Sequence, residues 1–223
     1  MKEAQYRQTL TPEEASKGIH VARENSRSLL NDAILLFDND RFERATALAI
    51  LAIEEAGKLS IIRTILLEND PKLIADGWRA YRKHTAKNLS WILPDVVRDG
   101  ARQLDDFTRI YDEKSEHGYV LDNLKQLAFY TDCFRKCRWS IPKDVITKEI
   151  ANMILNTAKV LVEKGNSIMT SKEELEIYLK HVKPVWRGEM IKMKQALVEC
   201  YAEAEREGLL EPGTTKRMSD FVL

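Results

Sequence analysis

Apolar or small residues recur at Ile19, Ala22, Ser26, Leu29 or Leu30, Ala33 and Leu36 or Phe37, three or four apart along the chain. That is the period of one helix face. Thr11-Pro12-Glu13-Glu14 starts this helix: Thr11 can cap, Pro12 suits the first helical position, and Glu14 completes a capping box. Asp38-Asn39-Asp40 closes it. A second helix is predicted from about Arg41 to Glu68. Its middle, Ala45 to Ile53, is apolar or small on every side, the mark of a buried central helix. Asn69-Asp70-Pro71 ends it and caps a helix carrying Trp78, Tyr81 and His84. After a break at Pro94, a charged helix is expected to about Lys114, then a loop from Ser115 to Gly118. Further helices are predicted near 119–138, 143–164, 171–182 and 188–207, with a second capping box at Ser171-Lys172-Glu173-Glu174. The tail after Gly208 is expected to fray or to dock on a partner. No strand-like alternation of useful length stands out.

The expectation is an all-α bundle in one domain spanning 1–223, with a core at about 11–165, C-terminal helices over 166–208 packed on it, and a tail at 209–223. Composition agrees. Nine glycines and six prolines are about half the usual share, so turns are few and helices long. Lys+Arg and Asp+Glu each number 35, which excludes a chain held to nucleic acid by bulk charge but allows a local basic patch. No apolar run approaches the ~18 residues of a membrane span. Three cysteines, Cys133, Cys137 and Cys200, are too few for a disulfide framework. A cytoplasmic, reducing location without membrane contact is expected, and the N-terminus has no signal-peptide pattern.

Much chemistry is missing. No Glu-x-x-His pair for a di-iron site precedes any of the four histidines. Cys133 and Cys137, read as sharing a helix face, lack a second zinc-spaced pair and read best as small core residues. There is no phosphate-cradling glycine loop. No metal and no cofactor are expected. One segment departs from ordinary helix surface. Trp78 to Lys87 packs four cations (Arg79, Arg82, Lys83, Lys87), His84 and two aromatics into ten residues without an acid. Cations attract phosphates, rings such as Tyr81 stack bases, and an imidazole moves protons near neutral pH. On one continuous helix Arg79 and His84 would stand about 140° apart, so a shared site would need two chains. A second polar feature, Glu54-Glu55-Ala56-Gly57-Lys58, follows directly on the apolar stretch. Glu54 and Lys58 have the spacing of an i, i+4 ion pair, either an ordinary surface pair or support for a site.

Leu48 to Lys58, with its Glu-Glu-x-Gly-Lys ending, resembles the signature of AbiV-type abortive infection proteins of the HEPN superfamily. Trp78 to Lys87 resembles the family's aromatic and basic His-x-x-Lys stretch. Leu124 to Asp132, followed by Trp139-Ser140-Ile141-Pro142, resembles a third motif, so the likeness spans about Ser26 to Leu161. The resemblance implies a HEPN-like helical bundle and an anti-phage toxin. It further implies a metal-independent endoribonuclease with an Arg-x4-His motif, here Arg79 and His84, although Ala80 stands where active relatives carry a polar residue. RNA would supply its own 2′-hydroxyl nucleophile and leave a 2′,3′-cyclic phosphate. Lys83, Lys87, Arg82 and Tyr81 would hold RNA, and Glu54, Glu55 and Lys58 would support the site. Expected partners are RNA, a second copy of the chain, and an antitoxin or phage-encoded activator. The alternative is a catalytically silent HEPN module that binds nucleotide, RNA or a protein to block translation.

Overall fold

The computed structural model describes residues 4–111, 116–164 and 168–223. Helix α1 (Pro12–Asp38) and helix α2 (Phe42–Leu67) form a long antiparallel hairpin. The Thr11 capping box forms as the sequence predicts, with Glu14 Oε2 accepting from the Thr11 amide at 2.8 Å. Helix α3 (Pro71–Arg82) starts on Asp70, whose side chain accepts from the Lys72 amide.

The chain then departs from the predicted continuous helix. Lys83 adopts extended backbone, and a single new turn, α4 (His84–Lys87), begins at His84. No long charged helix follows. A 3-10 turn over Leu89–Ile92, a short α5 (Leu93–Arg98) with Pro94 in its first turn, and a 3-10 stretch over Leu104–Tyr111 take its place. Lys114 and Ser115 lie outside the described residues, as does the 165/166 boundary. Helix α6 (His117–Phe129) is shorter than expected. Strands β1 (Asp132–Phe134) and β2 (Arg138–Ser140) follow it as an antiparallel hairpin, with Cys133 opposite Trp139. Cys133 and Cys137 are therefore exposed rather than core residues.

Helices α7 (Pro142–Val145) and α8 (Lys148–Lys159), α9 (Lys172–Val182), and α10 (Met190–Arg206) complete the bundle. The expected loose tail instead forms α11 (Thr214–Val222), held by buried Val222 and by Phe221 against Phe107, with ring centroids 5.6 Å apart.

Helix α2 lies in two cores. Its first half (Ala49, Ile50, Ile53) packs with Leu30 and Ala33 of α1, Leu121 of α6 and Ile154, Leu155 and Ala158 of α8. Its second half (Leu59, Ile62, Leu66) packs with Ala15 and Ile19 of α1, Leu175 of α9 and Cys200 of α10. A helix buried along its whole length explains why its apolar residues show no single stripe.

Between the two halves, α4 presses its backbone onto two glycines. A Cβ on Gly57 of α2 would lie 2.0 Å from the Lys87 carbonyl oxygen, and one on Gly118 of α6 would lie 2.8 Å from that of Thr85. Only residues without side chains allow α2, α4 and α6 this close. The Trp91 indole donates to the His117 carbonyl at 2.9 Å, and His117 Nε2 lies 3.1 Å from the Leu89 carbonyl, fastening the turn after α4 to the start of α6.

Gly57→Ala should therefore lower the unfolding free energy by about 1–3 kcal/mol, the usual cost of overpacking. Gly18→Ala should raise it by up to about 1 kcal/mol through helix propensity, because its nearest neighbour, Ile62 Cδ1, stands at 3.4 Å. Urea denaturation of the two variants checks the opposite signs.

Candidate active site

Glu54 is the buried acid of α2, 2% exposed, and sits where the two cores meet. A lone carboxylate there would be driven to its neutral form, so its partners decide its state. Three groups converge on it. The Lys125 ammonium from α6 donates to Oε1 at 2.6 Å, His84 Nδ1 from α4 lies 2.6 Å from Oε2, and Lys87 Nζ lies 3.4 Å from Oε2. Lys125 also reaches Asp122 Oδ1, one turn earlier on α6, at 2.7 Å.

Burial pushes the Glu54 carboxyl up, but the hydrogen bonds from Lys125 and His84 and the charges of Lys125 and Lys87 outweigh it and hold the group below its usual 4.5. Burial likewise pulls Lys125 down, and its bonds to Asp122 and Glu54 outweigh that and hold it above 10.5. Two carboxylates and two ammonium groups thus balance when His84 is neutral.

With Nδ1 committed to Glu54, the other ring nitrogen of His84 has no hydrogen-bond partner among the described residues, and the side chain is 54% exposed. A buried carboxylate that fixes one ring nitrogen and leaves the other facing solvent is the arrangement used to orient an imidazole for proton transfer. The histidine is set by α4, whose position depends on the two glycines.

The remaining predicted site residues fall into different places. Lys87 is 7% exposed and turned inward to Glu54, so it is a charge partner within the cluster and not an open phosphate contact. Lys58 does not pair with Glu54. It meets Glu55 at 2.5 Å and sits over the Tyr81 ring, 4.9 Å from its centroid. Glu55 and Lys58 thereby brace α3 against α2. Tyr81 is edge-on to Trp78 at 5.4 Å and packs on the second core, so its ring is already in use rather than offered to a base. Arg82 donates to the Trp78 and Tyr6 carbonyls and tethers the segment before α1 to α3, helped by the Trp78 indole, which donates to Gln8.

Arg79 is exposed, ion-paired to Asp76, and on a different helix from His84. It lines a cleft of about 480 Å³ with Arg7, Arg82 and Lys83. Four cations face this cleft, and Lys83 is the residue before His84.

Lys125 stands in the third family motif, but sequence reading assigned neither it nor Asp122 to the site. Their spacing of three on a predicted helix was visible, but nothing local pointed 71 residues back to Glu54. Carboxylate oxygens of Glu54 and Asp122 and a ring nitrogen of His84 lie within 4.8 Å of one another, a set that could hold a metal ion. Its three donors come from three helices, so no linear spacing betrays it. The Lys125 ammonium already touches both carboxylates there.

The fold and site define a helical bundle with an imidazole–carboxylate pair anchored on a buried helix. A comparison with protein families matches HEPN_AbiV, described as AbiV, over residues 14–163. That is about two thirds of the chain, and the chain belongs to the AbiV family of HEPN proteins. No curated protein and no solved structure matches it significantly. Among the described residues, no helix is long and apolar enough to cross a membrane.

Removing the Glu54 charge should be costly. Glu54→Gln keeps the shape but leaves Lys125 and Lys87 facing a neutral amide, and breaking a buried pair in this way costs about 3–5 kcal/mol. The depressed folded value also fixes a sign. Glu54 contributes stability that is fully present above its usual 4.5 and lost as pH falls through its lower folded value. Unfolding free energy measured against pH should fall less steeply on the acid side in Glu54→Gln than in the wild type.

Proposed function

We propose that the chain is a metal-independent endoribonuclease that acts as an abortive-infection toxin against phage, in the cytoplasm. The observation that carries this reading is the His84–Glu54 pair: a half-exposed imidazole whose Nδ1 is held at 2.6 Å by a buried carboxylate.

In this reading RNA lies along the basic cleft, with Arg7, Arg79 and Lys83 meeting its phosphates. The free ring nitrogen of His84 takes the proton from a 2′-hydroxyl, whose oxygen attacks the adjacent phosphorus. The P–O5′ bond breaks and the departing O5′ takes the proton back from the imidazolium, leaving a 2′,3′-cyclic phosphate on one fragment and a 5′-hydroxyl on the other. Glu54 keeps the ring oriented and stabilises the imidazolium that forms. Arg79 offers the developing phosphorane two parallel donors. Because Arg79 stands on α3 and His84 on α4, we assign the complete site to an isologous homodimer, the cleft of one copy facing His84 of the other. An antitoxin or a phage-encoded protein would then set when the toxin acts.

A second reading has its own support. The ion pair of Arg79 with Asp76 and the alanine at position 80 fit a silent module that blocks translation by binding RNA or a protein. Induced expression followed by electrophoresis of total RNA separates the two: cleavage favours the nuclease, and arrest with intact RNA favours the module.

For the nuclease, His84→Ala should reduce cleavage by about 100- to 10,000-fold while circular dichroism stays helical. Arg79→Lys should also fail, since one ammonium cannot replace a bidentate guanidinium. Lys83→Ala should keep cleavage, weaken binding and lower the salt slope by about one. Products carrying 3′-monophosphate from the outset, or cleavage of a 2′-deoxy site, would contradict the mechanism.

A further inference from the structure

The hairpin between α6 and α7 carries a second chemistry, unrelated to Glu54. Residues Tyr130 to Trp139 are all exposed. Near its tip, Cys133 Sγ and Cys137 Sγ stand 3.8 Å apart, both reachable from solvent. Three residues separate them in the chain, so their proximity is made by the turn. Lys136 and Cys137 both take left-handed backbone, φ 64° and 56°, without being glycine. Two such residues in succession cost about 1–2 kcal/mol each, and conformations of this kind persist where something is gained by aiming a side chain. Here the turn aims the Cys137 thiol back at Cys133.

We propose that Cys133 and Cys137 form a reversible dithiol–disulfide modification site that takes peroxide as its oxidant. Bond formation requires the sulfurs to close from 3.8 Å to about 2.05 Å, a movement within reach of side-chain rotation at an exposed turn.

The two thiols have distinct roles. Cys137 is flanked in the chain by three cations, Arg135, Lys136 and Arg138, whereas Cys133 follows the Asp132 carboxylate. The two sulfurs lie within S–H···S hydrogen-bond distance of each other. Local desolvation, that hydrogen bond and the neighbouring Asp132 carboxylate hold the Cys133 thiol above its usual range. With the Cys133 thiol held above its usual range, Cys137 is assigned the attacking role and Cys133 the resolving one.

The Cys137 thiolate attacks one peroxide oxygen, the O–O bond breaks, and a sulfenic acid and hydroxide result. The Cys133 sulfur then attacks Cys137 Sγ, the S–O bond breaks, and the leaving hydroxide departs as water with the Cys133 proton. Two thiols lose two electrons and two protons, and peroxide becomes two waters. Cys200 takes no part: it is fully buried, and burial pushes its thiol up to about 12.

The test treats the purified full chain with a small excess of hydrogen peroxide and reads intact mass and tryptic peptides. The wild type should lose the mass of two hydrogens without dimerising, and dithiothreitol should restore it. Trypsin cuts after Arg135 and Lys136, so the oxidised protein should yield two peptides joined through sulfur. Cys133→Ser should accumulate a Cys137 sulfenic acid that dimedone traps, and Cys137→Ser should react at least about tenfold more slowly. Trp139, opposite Cys133 in the hairpin, should show indole quenching on oxidation in the wild type and in neither variant. Wild-type protein that stays reduced, that joins only between chains, or that runs directly to sulfinic acid would overturn the proposal. So would equal peroxide reactivity in wild type and Cys137→Ser.

Discussion

Burying one carboxylate organises the centre of this protein. An ion of that size loses several kcal/mol of hydration on leaving water, and Glu54 is 2% exposed in the middle of the most apolar helix. It remains charged only because Lys125, His84 and Lys87 are brought to it from two other helices. Each of those helices is placed by the same demand. Helix α6 must present Lys125, and α4 must present both His84 and Lys87 within a single turn. The carboxylate thus does for the polar centre what Ile50 and Ile53 do for the apolar core beside it.

Close approach is the geometric counterpart of that demand. A four-residue turn cannot stand alone, and α4 is held by its backbone lying against Gly57 and Gly118. Gly57 belongs to the Glu-Glu-x-Gly-Lys run in which Glu54 and Lys58 also stand. The run reads as one device: an acid facing inward to the histidine turn, a glycine that admits that turn, and a lysine that braces α3 through Glu55 and Tyr81. Charge, space and bracing come from five consecutive residues.

The long elements were legible because their signals are local. Capping boxes at Thr11 and Ser171 and the all-round apolar run of α2 mark helices without any knowledge of neighbours. The break at Lys83 had no such signal, since neither proline nor glycine stands there. It follows from tertiary packing on the two glycines. The hairpin at 132–140 was hidden by its short strands, whose apolar residues also fit a continuing helix. Exchange of partners around Glu54 was hidden for a different reason. Sequence spacing offered Lys58 at i+4, whereas the carboxylate points inward, and its strongest partner lies 71 residues away. Arg79 and His84 were legible as a spaced pair, but the spacing assumed one helix where two exist.

Glu54 holds the His84 imidazole by Nδ1 and leaves the other nitrogen free. Long-range proton–nitrogen correlation spectra of the imidazoles, with His84 assigned by substitution, test it directly. Wild-type His84 should carry its proton on Nδ1 in a carboxylate-type hydrogen bond, and its ring nitrogens should average in Glu54→Gln. A wild-type ring protonated at Nε2 with Nδ1 bare, or a spectrum unchanged by Glu54→Gln, would contradict it.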